Sequence, residues 1–241
     1  YVLLDILFDK NSYTEIQETY IQCNLIDTVE PILKVKTPSI NCILGDKLTA
    51  FAPNTTGIIY GQKKELEIIK QLYDISCLFD LSSDIDTVRE TFIRTVNKQI
   101  EYRSLSITYN DVLKDIFKTS LILASRGSIE SDMFKELENG VKKMRGYVLT
   151  NRSFIIEEAI ECSAKAAYLS MLLTSPLDKI EKFDNSIDLS KVRVKNRIIN
   201  SIKKFSPEGF FYWFKAIELC ETYEQSKRTY EFTIPSKGIS L

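Results

Sequence analysis

The stretch Leu44-Gly-Asp-Lys-Leu-Thr-Ala-Phe51 is where the chain changes its period. Leu44, Leu48 and Phe51 recur at helical spacing, and Pro53-Asn54 ends the run. Upstream of it the pattern is extended. Residues 2–8 are apolar except for Asp5, residues 20–26 alternate, and residues 32–43 carry Val35, Ile40 and Cys42 broken by Pro31 and Pro38. These read as three strands, the prolines favouring short or edge strands. Residues 54–61 form a loop in which Gly57 and Gly61 supply turn freedom.

Downstream the helical period persists. Leu66, Ile69, Leu72, Tyr73 and Leu78 form one apolar stripe; Val88, Phe92, Val96 and Ile100 a second; Leu113, Phe117 and Leu121 a third. Met133, Leu137, Val141, Met144 and Val148 make a fourth, and Ile155, Ala159, Cys162, Ala166, Leu169 and Leu173 a fifth whose alanines allow close helix approach. Ser206-Pro207-Glu208 combines an N-cap, a proline suited to the first helical position and an early acid, so it opens a last helix through Phe210, Phe214 and Ile217. The tail after Lys227 reads as a short strand or extended arm. The fold class expected is α+β, divided near Asp80 into the remainder of an α/β domain over 1–80 and a larger helical bundle over 81–241.

Composition narrows the chemistry. The 241 residues carry 32 Lys plus Arg against 33 Asp plus Glu, so a polyanion must be met by a local patch rather than by net charge. There is no histidine, which removes Ser-His-Asp and Cys-His catalysis, His-ligated zinc and imidazole acid/base work. Five dispersed cysteines with no Cys-x-x-Cys pair read as reduced thiols, pointing to the cytoplasm. No stretch approaches the ~20 apolar residues of a membrane span. The chain opens at Tyr1 directly in an apolar run, which leads to the expectation that it continues a longer polypeptide.

Three features could carry function. Asp5, flanked by Leu3, Leu4, Ile6 and Leu7, is either a metal-binding carboxylate on a strand or an outward-facing acid on an edge strand. Lys47 and Asp74 either face one cleft from two helices, or Asp74 makes an ordinary i,i+4 surface pair with Lys70 while Lys47 is solvated. Lys191, Arg193, Lys195, Arg197, Lys203 and Lys204, with no acid among them and aromatics from Phe205 onward, are either an RNA-contacting patch or a solvated face. The pairs Asp84-Ile-Asp86 and Glu130/Asp132, by contrast, read as helix starts with acids complementing the dipole.

The segment 44–51, followed by Glu67-Ile-Ile-Lys-Gln-Leu-Tyr-Asp-Ile75, resembles the AbiEii/AbiGii toxin family, nucleotidyltransferases related to polymerase β-type enzymes. The first segment is similar to the family's acid-Lys-Leu-x-Ala helix start, the second to its Arg-Asp-Leu-Tyr-Asp-Leu segment. The resemblance implies that Lys47 contacts nucleotide phosphates and that Asp74 is an acid of the catalytic site. Lys70 stands for the basic residue of that segment, and it and the stretch Lys191, Arg193, Lys195 and Arg197 would bind substrate. Asp5 would lie near a Mg²⁺ site. Gln71 stands where many members have an acid. The family's Gly-Ser motif with its Asp-x-Asp is expected upstream of the Asp5 strand. The implied reaction transfers a nucleoside monophosphate from an NTP to an RNA acceptor, typically tRNA, with loss of pyrophosphate, in a toxin neutralised by a cognate antitoxin. The alternative is a catalytically inactive helical module that binds RNA or protein.

Overall fold

The structure, a computed structural model, describes residues 6, 11–25, 27–148 and 153–232, the stretch 223–232 by its backbone alone. Two antiparallel strands, β1 (Ile16–Tyr20) and β2 (Lys34–Pro38), pair with Ile16 opposite Pro38 and Tyr20 opposite Lys34. Helices follow: α1 (Ile40–Ala50), α2 (Glu65–Leu81), α3 (Ile85–Arg103), α4 (Tyr109–Ala124), α5 (Ser131–Met144), α6 (Ile156–Thr174), α7 (Arg197–Ile202) and α8 (Pro207–Phe232). The fold is α+β and mostly helical.

The strand expectations need correction. Residues 2–8 lie outside the described residues apart from exposed Ile6. The expected strand at 20–26 is replaced by β1, which ends where it was to begin; every β1 residue is exposed, so no apolar alternation marks it. The strand expected over 32–43 stops at Pro38. Ser39 caps α1 there, its Oγ accepting from the Cys42 amide at 3.3 Å, and residues 40–43 are helical.

The helices follow their stripes. Asp84 caps α3, accepting from the amides of Asp86 and Thr87. Ser206 caps α8, accepting from Gly209 N at 2.8 Å and donating to Glu161 at 2.6 Å. Two readings differ. α7 has no stripe long enough to announce it, and α8 continues to Phe232 past the arm expected after Lys227. On α4 the buried face is Val112, Leu113, Ile116, Ile122 and Leu123, with Phe117 and Leu121 only half-buried, because the helix packs against α5 as well as α6.

α6 lies between α4, α8 and α2, and Ala159, Ala164, Ala166 and Ala167 are fully buried on it. Its Lys165, 3% exposed, is compensated by Asp80 at 2.7 Å and Glu208 at 3.1 Å, which ties α2 to α8. Buried side chains on both sides of Asp80 join one continuous apolar core.

Candidate nucleotidyl-transfer site

α1 and α2 pack together and bring Lys47 Nζ to 2.8 Å from Asp74 Oδ2. Both side chains are partly open, at 32% and 42%. Lys70, one turn before Asp74, does not take that carboxylate. Its Nζ donates to Glu67 at 3.0 Å and lies 4.6 Å over the ring of Tyr147. The contact between helices therefore prevails over the i,i+4 pair.

Lys47 lines a polar depression of about 230 Å³ with Asp46, Gln71, Gln99 and Arg103. One wall is the loop after α1. Gly57 N donates back to Ala52 O at 2.8 Å, and a Cβ at Gly57 would stand 2.5 Å from Ala50 O, so the turn admits only glycine. Thr56 Oγ1 donates to Thr49 O at 2.8 Å, and Arg103 Nη1 donates to Gly57 O at 3.3 Å. The loop is fixed from α4 by buried Asp115, whose carboxylate accepts from Asn54 N at 2.8 Å, Asn54 Nδ2 at 2.6 Å and Thr55 Oγ1 at 2.9 Å.

Asp46 is the acid with a shifted titration here. Burial pushes its carboxyl above the usual range, and the hydrogen bond from Tyr13 and the neighbouring Lys47 only partly oppose this. Tyr13 Oη donates to Asp46 Oδ2 at 3.1 Å, and burial together with that carboxylate pushes the phenol up to about 12. The depression thus offers two cations, two amides and a carboxylate that takes a proton more readily than an exposed aspartate.

Asp46, Gln99 and Arg103 were not among the residues singled out from sequence. Gln99 and Arg103 had a signal: the α3 stripe Val88-Phe92-Val96 continues by three and four onto them, so an apolar face turns polar where it reaches the depression. Asp46 stood inside the quoted acid-Lys motif without being assigned a role.

The basic stretch is elsewhere. α7 rests mainly on α8 and α4. Arg193, Arg197 and Lys204 line a shallow depression of about 300 Å³ with Asn200 and Ser201. Lys191 is exposed, and Lys195, 98% exposed, lies 3.9 Å from Glu221. Lys203 turns inward, donating to the carbonyls of Leu189 and Val192 and lying 4.3 Å from the Phe210 ring.

Asp5 lies outside the described residues. Among those described, no group of three or more Asp, Glu or Cys side chains could hold a metal. Asp74 is held by Lys47 and Asp46 by Tyr13, so the described part does not by itself fit a Mg²⁺ site. Asp84 and Asp86 serve the start of α3, as their position before a stripe implies.

A profile of the family described as nucleotidyl transferase AbiEii toxin, type IV TA system, matches residues 1–152. The chain belongs to the AbiEii family. The AbiEii match spans β1 through α5 and so includes Lys47, Asp74 and every residue lining their depression; α6 to α8 lie beyond it. No curated protein and no solved structure matches the chain. AbiEii membership places it among nucleotidyltransferase toxins of type IV toxin–antitoxin systems, which implies an antitoxin counterpart. Among the described residues no helix is long and apolar enough to cross a membrane.

Proposed function

We propose that this chain carries the phosphate-handling side of an AbiEii nucleotidyltransferase that moves a nucleoside monophosphate from an NTP to an RNA hydroxyl, a tRNA end being the preferred acceptor. The observation that carries the reading is the Lys47–Asp74 contact at the edge of a depression that Arg103 also lines. A structural pair with both ends partly exposed contributes about 0–1 kcal/mol to stability. Beside a polar concavity, the same carboxylate orients an ammonium that can meet phosphate oxygens.

In the proposed reaction the acceptor oxygen forms a bond to the α-phosphorus. The bond from that phosphorus to the oxygen bridging to the β-phosphate breaks, and pyrophosphate leaves. Lys47 and Arg103 stabilise charge accumulating on the phosphate oxygens. Asp74 holds the Lys47 ammonium in place. Asp46, with its raised pKa, accepts the proton of the acceptor hydroxyl. Mg²⁺ is the cofactor that the family resemblance implies for this chemistry.

Full-length protein, Mg²⁺, each α-labelled NTP and total RNA test this. Label should enter RNA, and Lys47→Ala should slow incorporation by about 10²–10³-fold, the cost of removing one preorganised charge-stabilising group. Equal labelling by wild type, Lys47→Ala and Asp74→Ala would dismiss the site. RNA retention with no transfer under any nucleotide would favour the inactive binding module.

A further inference from the structure

A second depression, of about 500 Å³, adjoins the Lys47 depression and shares Ile58 with it. It is lined by Ile58, Lys63, Lys64, Leu66, Glu67 and Lys143. Its acids are already engaged: Glu67 by Lys70 at 3.0 Å, and neighbouring Glu65 by Lys143 at 2.6 Å and Asn139 Nδ2 at 2.6 Å. Lys63 and Lys64 are exposed and make no ion pair among the described residues. Beside Lys70 stands Tyr147, 59% exposed, with one ring face toward the ammonium.

Local folding physics disfavours both lysines. Lys63 has φ +57, a left-handed backbone where glycine costs least. Lys64 occupies the N-cap of α2 without a capping bond, where Ser, Thr, Asp or Asn is preferred and a cation opposes the helix dipole. Gly61, at φ +77, donates its amide to Glu136 at 2.8 Å, which fixes the turn that presents the two side chains. Choices that break a local rule on a surface beside a reactive pocket point to a ligand of opposite charge.

We infer that the acceptor strand lies along this surface: single-stranded RNA whose reactive end reaches Lys47 passes over Ile58, with phosphates on Lys63 and Lys64 and a base stacked on Tyr147. This rests on the transfer reading above for its direction and end point. It places the acceptor next to the Lys47 depression, whereas the exposed Lys191–Arg197 stretch leads into α7, which packs on α8 and α4. A strand whose end reacts at Lys47 meets the shared wall at Ile58 first. Recognition is by charge and stacking, which every base can satisfy.

The test is anisotropy of a fluorescein-labelled single-stranded RNA of about 12 nucleotides against full-length protein without nucleotide, over a range of salt. The variant Lys63→Gly/Lys64→Ser keeps the fold, since both replacements suit their backbone positions. Its denaturation followed by Trp213 fluorescence verifies this. Each lost phosphate contact lowers the slope of log Kobs against log salt by about 0.7, so the double variant should lose about 1.4. Tyr147→Ala should weaken binding about tenfold at fixed salt and leave the slope unchanged. The charge-matched control Lys36→Ser/Lys179→Ser, at exposed positions that line neither depression, should leave the slope at the wild-type value. An unchanged slope in the Lys63/Lys64 variant, an equal loss in the control, or no RNA binding by wild type overturns the inference. Loss of slope in an enzyme that transfers no nucleotide would dismiss the transfer reading and leave the surface standing.

Discussion

Replacing Asp115 with alanine removes the carboxylate that holds the wall of the Lys47 depression. Three loop donors lose their acceptor: Asn54 N, Asn54 Nδ2 and Thr55 Oγ1, at 2.8, 2.6 and 2.9 Å. Hydrogen bonds to a charged group contribute about 1.5–3 kcal/mol each, but exposed Asn54 can turn its donors to water. The net loss should therefore be about 3 kcal/mol, below the sum of three such bonds. For a chain of this size that lowers Tm by about 6–12 °C. Asp115→Asn keeps the shape and one acceptor oxygen and should lose about half as much. The chain has one tryptophan, Trp213, fully buried and edge-on to Phe117 of α4 at 5.7 Å, so its fluorescence reports this region during urea denaturation. With the loop released, Arg103 loses its fixed contact with Gly57, and nucleotide affinity should fall alongside stability. A stability for Asp115→Ala within ~0.5 kcal/mol of wild type, as for an ordinary surface substitution, would refute the clamp.

Gly45→Ala places a methyl 2.6 Å from Val88 O and 3.0 Å from Phe92 N, where α1 crosses α3. Both atoms are backbone and cannot step aside, so denaturation should show a loss of at least the ~1–3 kcal/mol of core overpacking. Asp46 is raised by burial, so its folded form holds a proton over a pH window where the unfolded chain has released it. Its favourable contribution is complete below the unfolded pKa and is lost as pH rises through the folded one. Asp46→Asn should raise Tm at neutral pH relative to wild type, measured by thermal melts across pH, while slowing transfer. The acid limb of the wild-type transfer rate should lie above the ordinary carboxylate range and disappear in Asp46→Asn; a normal carboxylate midpoint would remove Asp46 as the base.

The helices were legible because burial imposes a period. Leu44-Leu48-Phe51 and Val88-Phe92-Val96 each mark a face that must leave water, and the caps at Asp84 and Ser206 satisfy first-turn amides that have no intrahelical acceptor. β1 was misplaced for the complementary reason: a strand that is wholly exposed leaves no alternation in its sequence, whereas β2 falls inside the expected 32–43 strand and only its end, at the Ser39 cap, was set too late. α7 is too short to show a stripe. In the site, Lys47 and Asp74 were legible through a motif, and the structure brings them into contact. Spacing along α3 could point to Arg103 but not to its bond with Gly57, and the clamp by Asp115 joins residues sixty positions apart, so both contacts with the 52–58 loop are tertiary and no local spacing encodes them. The lysines at 63 and 64 are anomalous only once the backbone angles are known.

The most direct measurement is paired product analysis on full-length wild type and Lys47→Ala: α-label entering RNA and pyrophosphate released, with Trp213 denaturation on both. Wild type should give equal amounts of the two products. Lys47→Ala should lose about 10²–10³-fold of both while its stability stays within about 1 kcal/mol, as an exposed pair allows. Wild-type yields from a folded Lys47→Ala protein would contradict the account.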